Sequence, residues 1–597
     1  MKHQNISLSI FLTAAIGLGS AATIFAQKQD TTINKQVEVV KAYRPSVSDA
    51  YKISPMPEID DTTHFRPQFD YHIDSEPVTT GFKTVPVSAA AINLHESTEN
   101  GYGYLKLGMG TYNTPYGEFF FNQPKGKNSM FGAHYRHLSS TGRVKLNSSG
   151  EKVDAPYSHN NLEIFGKYFF RKSVFSVNLN YDRNVVKFYG YPDSIPAYIK
   201  NNGYGYFNDK QRMQNWRFNV GLKSSQNSRS ELQYKAGLHY SNFTTKTRQT
   251  ENNAGMIAGF DNDFGNLHGL LESSLDYYST DGIDNFDNPA SFKRNSIWFK
   301  LNPSVLLRGD AWKIRAGLNT WSVSDDDRNA IFKVYPKLDI ELKPVGNIMT
   351  LYIGADGFLQ NNNYSAIAKE NPWANPRHDI RNTDYKYIVF GGFKGKISPQ
   401  ISYKAGVKYS KAHNMHFFVT NAYPTVLNPT YPIATNEWLY RNDFDVEYDD
   451  AGILNLNAEV SYFSGSDYYL QIKANYYSYT LDSLNVASYK PNFDATVSSG
   501  VRFTQRLTGF IDMNITGNRK AIILYQYNPM SSARPSPYRE TVSLDPIVNM
   551  NLGAEYELPY RLKLFSRLDN VFNQHYDRWL GYTSQGMRFM VGASWSF

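Results

Sequence analysis

A chain of 597 residues is long enough for several soluble domains, yet its 45 Tyr and 37 Phe accompany a negative mean hydropathy. A soluble core that aromatic brings longer apolar runs, whereas a barrel in lipid needs only alternate residues apolar and keeps a polar average. The absence of cysteine excludes thiol catalysis, cysteine-bound metals and a lipidated cysteine; a formal charge of +8 with no block of like charge argues against a nucleic-acid partner.

The chain opens with Lys2 and His3, followed by an uncharged apolar stretch from Ile6 to Phe25. Residues 1–26 therefore read as a secretory signal peptide cleaved after Ala26. No later uncharged run is long enough for a transmembrane helix, which leaves a periplasmic, a secreted or a barrel protein.

Residues 27–100 differ from the rest of the chain. Pro45, Pro55, Pro57, Pro67, Pro77 and Pro86 punctuate them, and Glu58, Asp60 and Asp61 interrupt any apolar pattern. They are expected to form an extended periplasmic or lumenal segment. Its one β-prone run, Val37-Glu38-Val39-Val40, is a candidate docking strand able to add itself to a partner's sheet. A local strand or a lumen contact is the plainer reading of the same four residues.

From residue 101 the period becomes two. Ile401, Tyr403, Ala405, Val407 and Tyr409 alternate with Ser402, Lys404, Gly406, Lys408 and Ser410; Leu454 to Tyr462 and Leu470 to Tyr476 repeat the pattern. Helical spacing takes over nowhere. Tight connections at 171–173, 226–229, 308–310, 463–466 and 558–560 alternate with long ones at about 191–211, 361–382, 422–448, 528–544 and 573–586. Short turns facing the periplasm and long loops facing outward are the habit of outer-membrane barrels. The fold class is thus all-β: a transmembrane antiparallel barrel of about 22 strands over 101–597, in a Gram-negative outer membrane and in contact with its lipid.

The last strand places Phe589, Val591, Ala593, Trp595 and the terminal Phe597 on one face. Phe589, Val591, Trp595 and Phe597 resemble the C-terminal signature that the barrel-assembly machinery reads. Upstream, Leu564-Phe565-Ser566-Arg567-Leu568-Asp569-Asn570-Val571-Phe572-Asn573-Gln574-His575-Tyr576, then Gly581-Tyr582, Gly586 and Arg588, resemble the penultimate strand and last loop of TonB-dependent receptors. Asp545 to Leu558 looks like the strand before it. The resemblance implies substrate binding or passage across the outer membrane. It departs at the front, where receptors carry a plug longer than the whole of 27–100 and no plug motif is legible. A wide barrel without a plug must be closed by the N-terminal segment, by inward-folding loops or by another protein. The second reading is a scaffold: the barrel subunit of a larger complex whose 27–100 segment docks a periplasmic or lipoprotein partner.

No chemistry of catalysis, cofactor or metal stands out. His134 and His137, three apart on a strand, are expected on opposite faces. Asp281, Asp284 and Asp287 lack the spacing of a calcium loop and read as a solvated loop, and Asp325-Asp326-Asp327 as a polar turn tip. No Gly-x-Ser-x-Gly elbow or phosphate loop is present, so no enzyme is expected. Phe119-Phe120-Phe121, Tyr468-Tyr469 and Tyr476-Tyr477 are assigned to interfacial girdles.

Overall fold

Alternating side chains leave every second residue of each segment suited to hydrocarbon, and a strand so patterned satisfies its backbone in lipid only within a sheet that has no edge. The computed structural model describes residues 102–597 except 124–127, 149, 191–209, 226–231, 266, 284–290, 346–347, 377–378, 427–433, 466 and 526–537. The signal peptide, the 27–100 segment and its Val37–Val40 run lie outside the described residues.

Twenty-two strands form the wall, each antiparallel to its neighbours. The first, Gly103–Gly110, pairs with the last, Arg588–Ser596, from Tyr104↔Ser596 to Gly110↔Met590, and this pairing closes the ring. Phe597 completes the seam by accepting from the Tyr102 amide at 2.5 Å. Six further strands form three hairpins in the long connections: Arg143–Lys145 with Lys152–Asp154, Arg519–Tyr525 with Tyr538–Leu544, and Asp577–Trp579 with Tyr582–Thr583.

The two faces differ as alternation demands. Leu105, Leu107, Met109, Leu238, Met256, Ile353, Val407, Leu456, Ile472 and Leu564 are exposed on the outside. Between them Lys106, Glu118, Arg217, His239, Glu272, Lys404, Glu459, Arg567 and Arg588 point into the lumen. An apolar belt around a polar interior is the geometry of a membrane-spanning barrel. Among the described residues no helix is long and apolar enough to cross a membrane; the chain crosses with strands.

Both ends of the barrel proper lie at the short-turn rim. The strands Ile401–Val426 and Ala434–Ser464 run far past the rest at the opposite end. The 422–448 stretch, expected as a loop, is thus largely a continuation of two wall strands. A second departure is the helix Tyr364–Glu370 inside the 361–382 connection. Seven residues give too few turns to establish a 3.6 period, so the sequence carried no legible signal for it.

Candidate functional site

A barrel of this strand number encloses a wide lumen, so the first question is what occupies its mouth. At the long-loop end the described loops converge into one apolar core. Met213 and Phe243 come from one wall; Phe418, Phe444 and Val446 come from the extended strands on the other. The strands Lys210–Ser224 and Ala434–Ser464 stand ten apart around the ring of 22, almost opposite one another. Their side chains join the same cluster because Tyr364, Ile367 and Ala368 of the helix, Tyr489, and Trp579 and Tyr582 of the last loop fill the space between. The loops bridge the mouth. Of the three ways to close the barrel, inward-folding loops are observed.

Aromatic packing carries much of the cap. Trp373 stacks on Tyr582 with ring centroids 3.8 Å apart, Trp579 meets Tyr489 at 4.7 Å and Phe418 at 5.0 Å, and Tyr189 meets Tyr582 at 4.8 Å. Each such pair is worth about 0.5–1.5 kcal/mol beyond the area it buries. Two glycines allow the last loop to reach across. Gly190 (φ 110°) and Gly581 (φ 81°) lie back to back, and a Cβ at Gly190 would sit 2.9 Å from the Gly581 carbonyl oxygen. Any side chain there would push the two loops apart.

Polar anchors fix the helix between two walls. The Glu251 carboxylate accepts from the Tyr364 and Ser365 amides at 2.7 and 2.8 Å, and the Asn363 side chain accepts from the Ala366 amide at 2.9 Å. Three amides that a helix start leaves unpaired are therefore satisfied, two of them by the barrel wall. At the other end Glu370 accepts from the Lys490 ammonium at 2.7 Å and bonds His416 at 2.8 Å. Lys490 is 1% exposed. Burial alone would raise the Glu370 carboxyl; Lys490 and His416 outweigh it and lower it to about 2. One carboxylate thus ties the helix to the 482–492 loop and to an extended strand.

Two buried arginines complete the cap. Arg519 donates to the carbonyls of Arg578 and Asp577 at 2.7 and 2.8 Å, which fastens the Arg519–Tyr525 hairpin to the last loop. Burial lowers Arg519 and brings Arg578 down to about 10. Beneath the helix, Glu251, Tyr278, Arg294, Trp298, Tyr364 and Ile380 line a cavity of about 40 Å³, room for water rather than a ligand.

The lumen below the cap is polar and mixed in charge. Glu118 bonds Tyr104 at 2.8 Å and His134 at 3.0 Å, Lys106 pairs with Glu555 at 3.0 Å, and Arg567 and Arg588 share Asp569 at 2.5 and 3.2 Å. His239 meets Asp276 at 2.6 Å. Among the described residues no three metal-ligating side chains gather.

Several sequence expectations can be placed. His134 faces the lumen beside Glu118, whereas His137 bonds Asn160 at 2.7 Å on the other face, as three-residue spacing on a strand requires. Asp284 and Asp287 lie outside the described residues. Asp325 is not a solvated turn tip: Arg294 grips it through two nitrogens and also donates to the Ile380 carbonyl at 3.2 Å. An acidic triplet reads as solvent-facing because sequence does not show the cross-strand arginine. Each aromatic group divides between faces. Phe120 and Tyr469 are buried on the lumen side, while Phe119 and Tyr476 are exposed on the outside. An interfacial girdle can draw only on the outward members; the inward ones contradict that assignment.

The residues after the penultimate strand form a corner. Asn570 (φ 51°) donates to the carbonyls of Gln574 and Gln585 at 2.9 and 3.2 Å, and its amide donates to Asn551 at 3.1 Å. Asn573 (φ 50°) accepts from the Met587 amide at 2.8 Å. Asparagine tolerates the left-handed region and bonds locally, which is why it stands at both bends. Phe589, Val591 and Trp595 are 47%, 47% and 50% exposed on the outside of the seam strand, and the Phe597 ring lies tilted against Trp595 with centroids 5.3 Å apart.

A closed 22-strand barrel with an apolar belt, a polar lumen and a loop-capped mouth is an integral protein of the Gram-negative outer membrane. Its fold is similar to that of the barrels of TonB-dependent receptors, as the comparison with solved structures shows. The receptor FpvA of Pseudomonas aeruginosa, solved with heterologous pyoverdines, matches over 83% of this chain and 71% of its own with 12% identity and a TM-score of 0.59. The ferric-catecholate import receptor Fiu of Escherichia coli K12 matches over 84% and 82% with 10% identity and a TM-score of 0.58. The FrpB iron transporter of Neisseria meningitidis matches over the same shares with 11% identity and a TM-score of 0.61. At such identities the likeness is one of fold. No protein-family model matches the chain, and no curated protein matches its sequence.

Proposed function

We propose that this protein binds a solute at the outer membrane and passes it inward through the barrel, with the loop cap as the gate. The observation that carries this reading is the cap itself. Loops from opposed walls meet in one apolar core over a polar lumen, an arrangement that supports a passage and its closure in a single chain. The solved proteins of the same fold support the reading in kind: among them are a ferric-catecholate import receptor, an iron transporter and a copper transporter.

Opening the cap separates stacked aromatics and the Glu370–Lys490 pair, which calls for an energy input from the periplasmic side. Both termini of the barrel lie at the short-turn rim. We assign to Val37, Glu38, Val39 and Val40 the role of the strand that a periplasmic partner takes up by edge pairing. Phe589, Val591, Trp595 and Phe597 serve earlier, as the strand that the barrel-assembly machinery engages.

The test compares solute depletion from the medium by cells with and without the gene, in the presence and absence of a protonophore. The reading expects a solute whose uptake needs both the gene and the proton-motive force. Val37→Pro with Val39→Pro is expected to abolish that uptake while leaving the barrel inserted. Stable co-purification of a partner with no gene-dependent uptake would replace transport with the scaffold role.

A further inference from the structure

Aromatic rings lie flat along the lumen wall wherever glycines leave room, and two such places differ in charge. Phe565 rests over Gly108 and Gly592, where added Cβ atoms would fall 2.8 and 2.4 Å from its ring. Lys106 stands 4.3 Å above that ring and is balanced by Glu555 at 3.0 Å. The second ring is Tyr352. It rests over Gly392 and Gly406, where added Cβ atoms would fall 2.6 and 2.3 Å from its hydroxyl. Two lysines flank it: Lys394 at 6.0 Å and Lys404 at 5.9 Å from the centroid.

These two lysines are direct cross-strand partners in register, an arrangement that destabilises a sheet when the charges match. Glu341 balances Lys394 at 2.9 Å. Among the described residues no ion pair balances Lys404. Glu459 lies opposite it in register, but bonds Gln471 at 3.0 Å and Lys473 at 3.4 Å. Lys408, two lumenal steps nearer the mouth on the same strand with Gly406 between, likewise forms no ion pair among the described residues. On the four adjacent strands from Thr383–Lys396 to Tyr468–Leu481, the wall between Lys394 and Lys408 thus carries Lys394, Lys404, Lys408 and Lys473 against a single glutamate.

We propose that Lys404 and Lys408, with Lys394 and the Tyr352 hydroxyl beside them, form an anion-binding site on the lumen wall. It takes a carboxylate or phosphate group. Among the described residues Lys404 is exposed to the lumen, so such a group reaches it from within the lumen without the cap moving. In a lumen walled by low-dielectric protein and lipid, two unpaired ammonium groups attract an anion more strongly than in bulk water. The inference rests on the transport reading only for its purpose: an anionic solute would pass this site after leaving the mouth.

The test is calorimetric titration of the full-length protein in detergent at low salt, with inorganic phosphate in one arm and citrate in the other. A saturable heat in either arm is expected, weakened by added salt. Which arm responds distinguishes a free oxyanion from an organic carboxylate. Lys404→Gln with Lys408→Gln is expected to weaken binding tenfold or more, and Lys404→Arg to retain it. Lys235→Gln, in an ion pair with Glu272 elsewhere on the wall, should bind as the wild type does. No saturable heat in either arm, or equal binding by the double variant while it migrates as a folded barrel, overturns the proposal. Because binding is read without transport, failure here leaves the uptake experiment untouched, and the reverse also holds.

Discussion

Glu370 concentrates the energetics of the cap in one side chain. It joins a helix, a strand and a loop, and its partner Lys490 is almost wholly out of water. Removing one member of a buried pair leaves the other uncompensated and costs about 3–5 kcal/mol. Glu370→Gln is therefore expected to loosen the cap while the barrel wall stays intact, seen as new protease cleavage within 361–382 in a protein that still resists heat in detergent as a folded barrel does. The sign of the acid dependence follows from the lowered carboxyl. Ionised Glu370 stabilises the cap fully above its ordinary value of 4.5, and that contribution is lost as pH falls toward about 2. Protease sensitivity of the loops should rise across that window in the wild type and be flat in Glu370→Gln. At the same scale, Asn570→Ala removes three side-chain hydrogen bonds and places alanine at a positive φ. It should cost about 2–4 kcal/mol, read as a lower melting temperature of the barrel in detergent.

The strands themselves were legible because lipid and water sort residues at a period of two. The runs at Ile401–Tyr409, Leu454–Tyr462 and Leu470–Tyr476 all present the expected members outward. The elements of the cap were not legible, for three physical reasons. Seven residues hold too few turns for the helix to show its period. The Arg143–Lys145 and Asp577–Trp579 strands are three residues long, shorter than any alternation can mark. The apolar side chains of the cap come from separate connections, and only the closed ring brings them together. In the last loop, Gly581, Tyr582 and Gly586 belong to the motif read in sequence and Trp579 does not, but Trp579 and Tyr582 alike acquire their packing role through contacts with Phe444 and Trp373. Gly190→Val is expected to separate that loop from its neighbour and reproduce the protease sensitivity of Glu370→Gln through packing alone. Such a match would show that the cap opens as one unit.

At the scale of the whole molecule, one chain is both barrel wall and lid. The wall closes through its first and last strands, and the loops shut the mouth from within the same polypeptide. The protein has no cysteine, so any single cysteine introduced into it reports without background. The decisive measurement uses a membrane-impermeant maleimide on intact cells carrying either Asp482→Cys, on a loop side chain 56% exposed at the long-loop end, or Lys235→Cys, on the lumen wall near the short turns. Rapid labelling of Asp482→Cys, with labelling of Lys235→Cys only after the outer membrane is permeabilised, is the expected result. Equal labelling of the two from outside intact cells would mean an open mouth and contradict a loop-closed barrel.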